Sequence, residues 1–301
     1  MISQVNFYIS ANRIKAMHDG TGHPFFSRAQ TAFESLGLKV DYILDTDANR
    51  AESIFLEAYA MFFFKDSLHE RALDVRGTPI GPFYRMEKEA DRARYRLVDR
   101  AFQPAKLPRQ QANSFYKIWQ RLLIPDAPAP FAGAVLIPLQ GKLLKRRSQQ
   151  AMSPVEMIKA TIKHEPNRPI WLKLHPNETY TDAEMQALAA LCDDRVRLID
   201  VDLDTALKGC DYIVTQNSSV LLHGLFYGRP AIVFADCEFH HPFQSVRRGV
   251  PVDQAFARVL EDVPDFAKYA YWYLQLNCIN TSREWAEDMI IAQCREFGWQ
   301  I

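Results

Sequence analysis

Short apolar strand patterns alternate with helix patterns along most of this 301-residue chain, and this alternation constrains the fold more than any other feature. In the first half, strand patterns at about 4–10, 39–44 and 60–64 are separated by helix patterns at about 25–36 and 49–59. Strands that alternate with helices form parallel sheets whose faces are covered by the helices. The first half is therefore predicted to be an α/β unit.

The second half shows the same alternation with stronger signals. Its predicted strands lie at about 132–139, 169–174, 196–199, 211–215 and 230–235. Two capping boxes, in which a Ser or Thr precedes a Glu by three residues, mark helix starts at Ser153 and Thr181. A further helix is expected to begin at Val220 and to be stopped by Gly228. The second half is therefore predicted to be another α/β unit.

A proline-rich stretch separates the two predicted units. Prolines punctuate residues 103–130, which is typical of a linker. The boundary is therefore predicted after residue 128, with an amino-terminal domain at 1–128 and a carboxy-terminal domain at 129–301. We expect the last helices to pack back on the first domain. Two α/β units joined in this way predict Rossmann-like domains that face each other across a cleft.

The composition excludes several classes of protein. The chain has 36 basic and 36 acidic residues, and this balance argues against bulk electrostatic capture of nucleic acid. Its five cysteines form no Cys-x-x-Cys pair, so neither a disulfide framework nor a zinc ribbon is expected. The sequence contains no His-Glu-x-x-His motif, and no metal or cofactor is predicted.

The sequence also predicts a cytoplasmic protein. Its most apolar run, at 58–64, is far shorter than the roughly 20 residues that span a bilayer. The first residues alternate as a strand does, and no basic segment precedes a long apolar core, so we expect no export signal.

The first candidate for chemistry is a histidine at the end of a predicted strand. Lys173 and Leu174 end the strand, and His175-Pro176 follows directly. Ligands of open α/β sheets bind beyond the carboxyl ends of the strands, and an imidazole placed there is able to donate a hydrogen bond to a phosphate. The alternative is a turn histidine that precedes a structural proline.

The second candidate is the polar segment Gln216-Asn217-Ser218-Ser219, between a predicted strand and the helix from Val220. Hydroxyls and unpaired backbone N–H groups at the start of a helix bind anions. The alternative is ordinary N-capping by serine. Because both segments follow strands of one unit, together they predict that His175 and the two serines hold the phosphate of a nucleotide.

Two loops carry further candidate residues. Gln140 follows the strand at 132–139, and basic residues come next, namely Lys142, Lys145, Arg146 and Arg147. This basic run has three interpretations: contact with a phosphate, contact with an anionic membrane surface, or a solvated loop. In the first half, Gly20 and Gly22 lie in a loop whose backbone is able to approach a substrate, although the loop lacks the spacing of a dinucleotide-binding motif.

In order and spacing, these motifs resemble the bacterial capsule polysaccharide synthesis family, whose Kps-type members transfer 3-deoxy-manno-octulosonate (Kdo). The matching segments are Ile137-Pro138-Leu139-Gln140, Ser153 with Met157-Ile158, Lys173-Leu174-His175-Pro176, Gln216-Asn217-Ser218-Ser219-Val220 and Gly228-Arg229-Pro230. They lie within about residues 134–242, and the loop with Gly22 and Pro24-Phe25-Phe26 resembles the amino-terminal signature of the family. The resemblance implies a GT-B glycosyltransferase with a CMP-activated sugar as donor substrate and no metal.

The resemblance also implies roles for individual residues. His175 is predicted to donate to the departing phosphate, and Ser218 and Ser219 are predicted to hold the same group. Gln140, Lys173, Pro176, Gln216, Asn217, Gly20 and Gly22 are predicted to contact substrate. Glu87 is predicted to be the base or nucleophile on the sugar side, although the segment 83–89 lacks the glycine that relatives carry near their acidic pair.

Two other functions remain open from the sequence. A nucleotide-sugar epimerase uses a similar two-domain fold and needs no acceptor. A non-catalytic partner in a capsule or lipopolysaccharide assembly complex is suggested by the missing glycine near Glu87. The resemblance further implies a glycan or glycolipid acceptor, which the protein would meet at the cytoplasmic face of the inner membrane through the basic residues 142–147.

Overall fold

The computed structural model describes residues 2–124 and 133–301. Its strands are β1 Gln4–Ile9, β2 Lys39–Leu44, β3 Tyr59–Phe63, β4 Ala72–Gly77, β5 Phe83–Glu87, β6 Ala134–Pro138, β7 Ile170–Lys173, β8 Val196–Leu198, β9 Cys210–Thr215, β10 Ala231–Val233, β11 Gln244–Ser245 and β12 Ile279–Asn280. Its α-helices are α1 Ala11–His18, α2 Pro24–Ser35, α3 Asp47–Glu52, α4 Arg109–Leu123, α5 Pro154–His164, α6 Asp182–Ala189, α7 Leu203–Gly209, α8 Val220–Phe226, α9 Val252–Arg258, α10 Phe266–Ala270 and α11 Ala286–Glu296. The predicted alternation of strands and helices is confirmed from β1 to β3 and from β6 to β10, but β3, β4 and β5 follow one another without a helix between them.

The chain forms two compact units, and their division differs from the predicted boundary after residue 128. One unit contains the residues up to Leu97 together with Tyr273–Ile301, and the other contains Val98–Trp272. Residues 98–124 join the second unit because α4 packs on α8 and α10. The side chain of Tyr116 on α4 donates a hydrogen bond of 2.8 Å to the carbonyl of Leu225. The linker predicted at 103–130 is wrong over its described part, because Arg109–Leu123 form α4, and its residues 125–130 lie outside the described residues.

The first unit contains a six-stranded sheet in the order β12-β5-β4-β3-β1-β2. Strands β1, β2 and β3 are parallel, as predicted. Strand β4, which was not predicted, joins β3 in parallel, whereas β5 pairs with β4 in the antiparallel direction and β12 pairs with β5 in the same way. Helix α11 packs on α2, and the ring of Trp299 stacks on Tyr59 with a centroid distance of 4.3 Å. The carboxy-terminal residues therefore complete the core of the first unit.

The second unit contains a parallel sheet in the order β11-β10-β9-β6-β7-β8. Its first strand, β6, lies in the middle, so the chain builds one side through β7 and β8 and the other side through β9, β10 and β11. This is the Rossmann strand order, and the direction of building reverses between β6 and β9. The carboxyl ends of these two strands diverge into loops on opposite sides, and ligands of such sheets bind in the crevice that results.

Local sequence signals place the helices that flank this sheet. Both predicted capping boxes are present, with reciprocal bonds between Ser153 and Glu156 and between Thr181 and Glu184. Helix α8 ends at Phe226, and Gly228 follows with φ +67°, a conformation that favours glycine. Within the described ranges, none of the helices has the length and apolar composition that crossing a membrane requires.

Asp74 on β4 is a buried acid in the first unit. It is 1% exposed and lies opposite Glu87 in the antiparallel pairing of β4 and β5. Its Oδ1 accepts a hydrogen bond of 2.7 Å from the backbone N–H of Lys65. Burial raises the pKa of Asp74 to about 7, even though the Lys65 N–H and the charge of Arg76 lower it.

This raised pKa predicts that the first unit loses stability as the pH rises. The folded carboxyl holds its proton to about pH 7, whereas the unfolded one loses it near 3.8, so the folded state binds more protons between these values. The free energy of unfolding should therefore fall from pH 4 to pH 7 through this group, by on the order of 3 kcal/mol. In denaturant unfolding, Asp74→Asn should lack this pH-dependent part of the free energy of unfolding. The variant should therefore be more stable than the wild type at neutral pH. The exposed control Asp253→Asn should follow the wild type; an equal pH dependence in Asp74→Asn would contradict the assignment.

Candidate functional site

A cavity of about 700 Å³ opens at the carboxyl ends of β6, β7, β8 and β9 in the second unit. Of the residues singled out in the sequence, it is lined by Gln140, Lys173, His175, Pro176, Ser218 and Ser219. These come from three different strand ends, which the parallel sheet brings to one edge. The cavity has the size and position of a small-ligand site at the reversal point of an α/β sheet.

A hydrogen bond fixes one ring nitrogen of His175 as an acceptor and leaves the other nitrogen to donate. Its Nδ1 accepts a hydrogen bond of 3.2 Å from the backbone N–H of Asn177, so the neutral ring carries its proton on Nε2. The backbone N–H of His175 donates to the hydroxyl of Tyr180 at 2.9 Å, and that hydroxyl lies 3.3 Å from the carbonyl oxygen of Leu139. Tyr180 therefore ties the loop after β7 to the loop after β6. The histidine remains exposed at the cavity wall.

The two serines behave differently from each other. The Oγ of Ser218 accepts a hydrogen bond of 3.3 Å from the N–H of Val220 at the start of α8, so its hydroxyl helps to cap the helix. Ser219 occupies the N-cap position but makes no side-chain cap bond. The N-capping alternative thus applies to Ser218, whereas the hydroxyl of Ser219 is available to a ligand. Gln216 is buried and donates to the Met152 carbonyl at 3.1 Å, and neither Gln216 nor Asn217 lines the cavity.

Sequence reasoning missed three polar residues of the cavity wall: Asp200, Asp202 and His223. Asp202 caps α7 by accepting a hydrogen bond of 2.8 Å from the Thr205 N–H, and its position before a helix was a readable signal. His223 lies on α8, four residues after Ser219 and therefore on the same helix face. Burial lowers the pKa of His223, so its ring is neutral at physiological pH. No local pattern distinguishes His223 from a core histidine.

Lys173 also lines this cavity, and its ammonium group already forms a hydrogen bond within the protein. Its ammonium group donates a hydrogen bond to the backbone carbonyl of Val201, in the loop after β8. This contact joins the end of β7 to the loop that follows β8. The cavity wall thus carries carboxylates on the β8 side and hydrogen-bond donors around His175 and Ser219.

Glu87, Gly20 and Gly22 belong to the first unit and do not line this cavity. Glu87 is 2% exposed and forms an ion pair with Arg85, while its Oε2 accepts a hydrogen bond of 3.3 Å from the Arg96 N–H. These contacts fit a structural role, and its predicted catalytic role stays a prediction. Gly20 and Gly22 have φ values of +80° and +68°. A Cβ at Gly22 would also lie 2.6 Å from the Ser27 Oγ, so this turn requires glycine.

The basic residues 142–147 also lie outside the cavity wall. Lys142, Lys145 and Arg146 are exposed, and Arg147 donates a hydrogen bond of 2.9 Å to the carbonyl of Gly141. Among residues 2–124 and 133–301, no group of three or more His, Cys, Asp or Glu side chains is arranged to hold a metal ion.

Comparison with known proteins supports the motif resemblance. Residues 146–242 match the sequence model of the family described as capsule polysaccharide biosynthesis protein. The structure is similar to that of Thermosulfurimonas dismutans KpsC, a beta Kdo 2,7 transferase, with a TM-score of 0.52 and 13% identity over 87% of this chain and 90% of that chain. It is also similar to the beta Kdo 2,4 transferase of KpsC from the same organism, with a TM-score of 0.49 and 15% identity over 86% and 90% of the two chains.

A search of curated protein sequences gives no significant match. The family match covers residues 146–242, and the similarity to the solved structure is a similarity of fold. The resemblance inferred from the motifs is confirmed: residues 146–242 match the capsule polysaccharide biosynthesis family, and the chain has a GT-B-type fold of two α/β units, similar to that of a Kps-type Kdo transferase.

Proposed function

We propose that this protein is a glycosyltransferase that moves Kdo or a related keto-sugar acid from a CMP-activated donor to a glycan or glycolipid acceptor. The observation that carries the proposal is the cavity at the β6–β9 reversal point, with the Nε2–H of His175 and the hydroxyl of Ser219 on its wall. A nucleotide phosphate is the group that such donors recognise at this edge of an α/β sheet. The family match at residues 146–242 includes His175, Ser218 and Ser219.

In the proposed reaction, the bond between the anomeric carbon of the sugar and the phosphate oxygen of CMP breaks. Negative charge then develops on the departing phosphate, and a donor aimed at that oxygen stabilises the transition state. His175 has the required Nε2–H because the Asn177 N–H occupies its Nδ1. Ser219 adds a second donor, and Tyr180 holds the His175 backbone in place. The two donors that we assign to the leaving group are the imidazole of His175 and the hydroxyl of Ser219, and no step of the proposal uses a metal.

The sugar side of the reaction requires an acid or base, and two carboxyl groups, those of Glu87 and Asp74, are buried in the described part of the first unit. Glu87 is proposed from the sequence as the base or nucleophile. Asp74, its register partner on β4, was missed because the β4–β5 hairpin was not predicted.

Thermal unfolding in the presence of nucleotides tests the donor class. At 100 times its dissociation constant, a ligand stabilises the folded protein by about 2.7 kcal/mol, so CMP should raise the melting temperature by several degrees. CDP, UDP and GDP should give smaller shifts, and cytidine, which lacks the phosphate that His175 and Ser219 would contact, is the matched control. A UDP-selective response would contradict the proposal and favour an epimerase or another transferase. No response to any nucleotide would favour the non-catalytic partner.

A further inference from the structure

A tight turn begins in the second unit at Lys142, four residues after the end of β6. The backbone N–H of Lys145 donates a hydrogen bond of 3.2 Å to the carbonyl of Lys142, which makes Leu143 and Leu144 the two central residues of a β-turn. Leu143 is completely buried in the core of the second unit, whereas Leu144 is 51% exposed. The turn therefore sends one leucine inward and presents the other to solvent.

The turn is fixed by contacts on both sides. The N–H of Leu143 donates to the Glu184 carboxylate at 2.5 Å, and the carbonyl of Leu143 accepts a hydrogen bond of 3.1 Å from the Val155 N–H. Lys142 has φ +64°, a left-handed conformation that a lysine adopts only where the surrounding structure enforces it. Because these contacts fix the turn, they also hold the side chain of Leu144 at the surface.

Three exposed cations surround the exposed leucine: Lys142, Lys145 and Arg146. None of them forms an ion pair within the described residues, and the segment 142–147 contains no acid. Glu156, the acid whose pKa responds to Arg146, is engaged chiefly by hydrogen bonds from Ser153. The chain as a whole has equal numbers of basic and acidic residues, so this unpaired cluster is a local feature.

We propose that the turn at residues 142–147 docks the protein on an anionic lipid surface, with Lys142, Lys145 and Arg146 at the headgroups and Leu144 in the acyl boundary. Basic side chains are attracted to an anionic leaflet. An exposed apolar side chain such as Leu144 contributes binding free energy only when it leaves water for an apolar medium. An anionic glycan would satisfy the cations but leave Leu144 in water, and this difference favours the lipid. Gln140 lines the cavity only two residues before Lys142, a span of about 7 Å at most, so docking brings the cavity near the membrane surface.

The test is co-sedimentation with vesicles of phosphatidylcholine, with or without phosphatidylglycerol. The protein should bind only the anionic vesicles, and binding should fade at about 0.5 M salt because the charges are screened. Replacing Lys142, Lys145 and Arg146 with Gln should weaken binding by about 100-fold. Leu144→Ser should weaken it by about tenfold. The matched control replaces exposed Lys159, Lys163 and Arg258 with Gln and should bind as the wild type does.

Three results would overturn the proposal: binding that ignores lipid charge, equal losses in the control variant, or full binding by Leu144→Ser. The last result would favour an anionic glycan as partner, and competition by a soluble acidic polysaccharide would then be expected. The outcome is independent of the proposed transferase activity, because vesicle binding is measured without donor or acceptor. Thermal unfolding of each variant with CMP provides the separate readout for the nucleotide cavity and for correct folding.

Discussion

Replacing His175 with alanine is expected to lower the rate of CMP release from a CMP-activated keto-sugar acid by about 10²–10³-fold. The loss should fall on kcat more than on KM, because the donor at Nε2 is needed most when charge develops on the phosphate. The fold should survive, since the ring is exposed and, among residues 2–124 and 133–301, its hydrogen bond is the one that it accepts from the Asn177 N–H. Initial rates of CMP release, measured with and without acceptor, give the result.

A matched histidine variant separates this effect from a general loss of stability. His164 lies on α5 outside the cavity, where its ring stacks on Phe256, and His164→Ala should retain the wild-type rate. His175→Gln keeps an N–H donor and should recover part of the activity. Unchanged turnover in His175→Ala would remove His175 from the mechanism. If Glu87→Ala also retained function in cells, the non-catalytic partner would be the better description.

Removing the Glu87 carboxylate is expected to destabilise the first unit by about 3–5 kcal/mol, because it leaves a buried guanidinium without its partner. The side chains of Arg85 and Glu87 are 8% and 3% exposed, and Arg85 also donates to the Asn277 carbonyl at 2.8 Å. Burial lowers the pKa of Arg85, but the Glu87 charge raises it further, so the group stays protonated at every accessible pH. Denaturant unfolding of Glu87→Ala against the wild type measures the loss.

A double variant distinguishes the structural role of Glu87 from its predicted catalytic role. Arg85→Met combined with Glu87→Leu replaces the buried pair with apolar side chains of similar size, which is often neutral for stability. If Glu87 is only structural, the double variant should fold and release CMP at the wild-type rate. A folded double variant without turnover, but with normal CMP binding, would instead support the catalytic prediction. Wild-type stability in Glu87→Ala would contradict the buried-pair account.

The second unit was readable from the sequence because its signals are local. Strands β6, β9 and β10 are buried on both faces of a parallel sheet, and such strands appear as continuous apolar runs. The capping boxes at Ser153 and Thr181 are formed within four residues, so they predicted the starts of α5 and α6. The candidate residues His175 and Ser219 were found because each lies in the short loop after a strand, and the ends of parallel strands meet at one edge.

The first unit was harder to predict because its distinctive contacts join distant segments. Strand β12 has two residues and pairs with β5, which lies almost 200 residues earlier. Neither its length nor its composition marks it as a strand. The antiparallel direction of β5 depends on the short connection after β4, and the sequence pattern alone does not distinguish it from another parallel strand. For the same reason, the membership of residues 98–124 in the second unit was not visible, although the last helices were expected to pack on the first domain.

By itself, the sequence determined the α/β alternation, the helix starts and the strand-end position of His175 and the serines, because periodicity, capping and turn chemistry act over a few residues. Only the tertiary structure decided which strands are neighbours, that His223 faces the cavity, that Glu87 is paired with Arg85, and that Leu144 points outward from a strained turn. Each of these depends on packing between segments far apart in the chain. This packing is determined by the burial of apolar side chains over the whole sheet, so it cannot be predicted from a few consecutive residues.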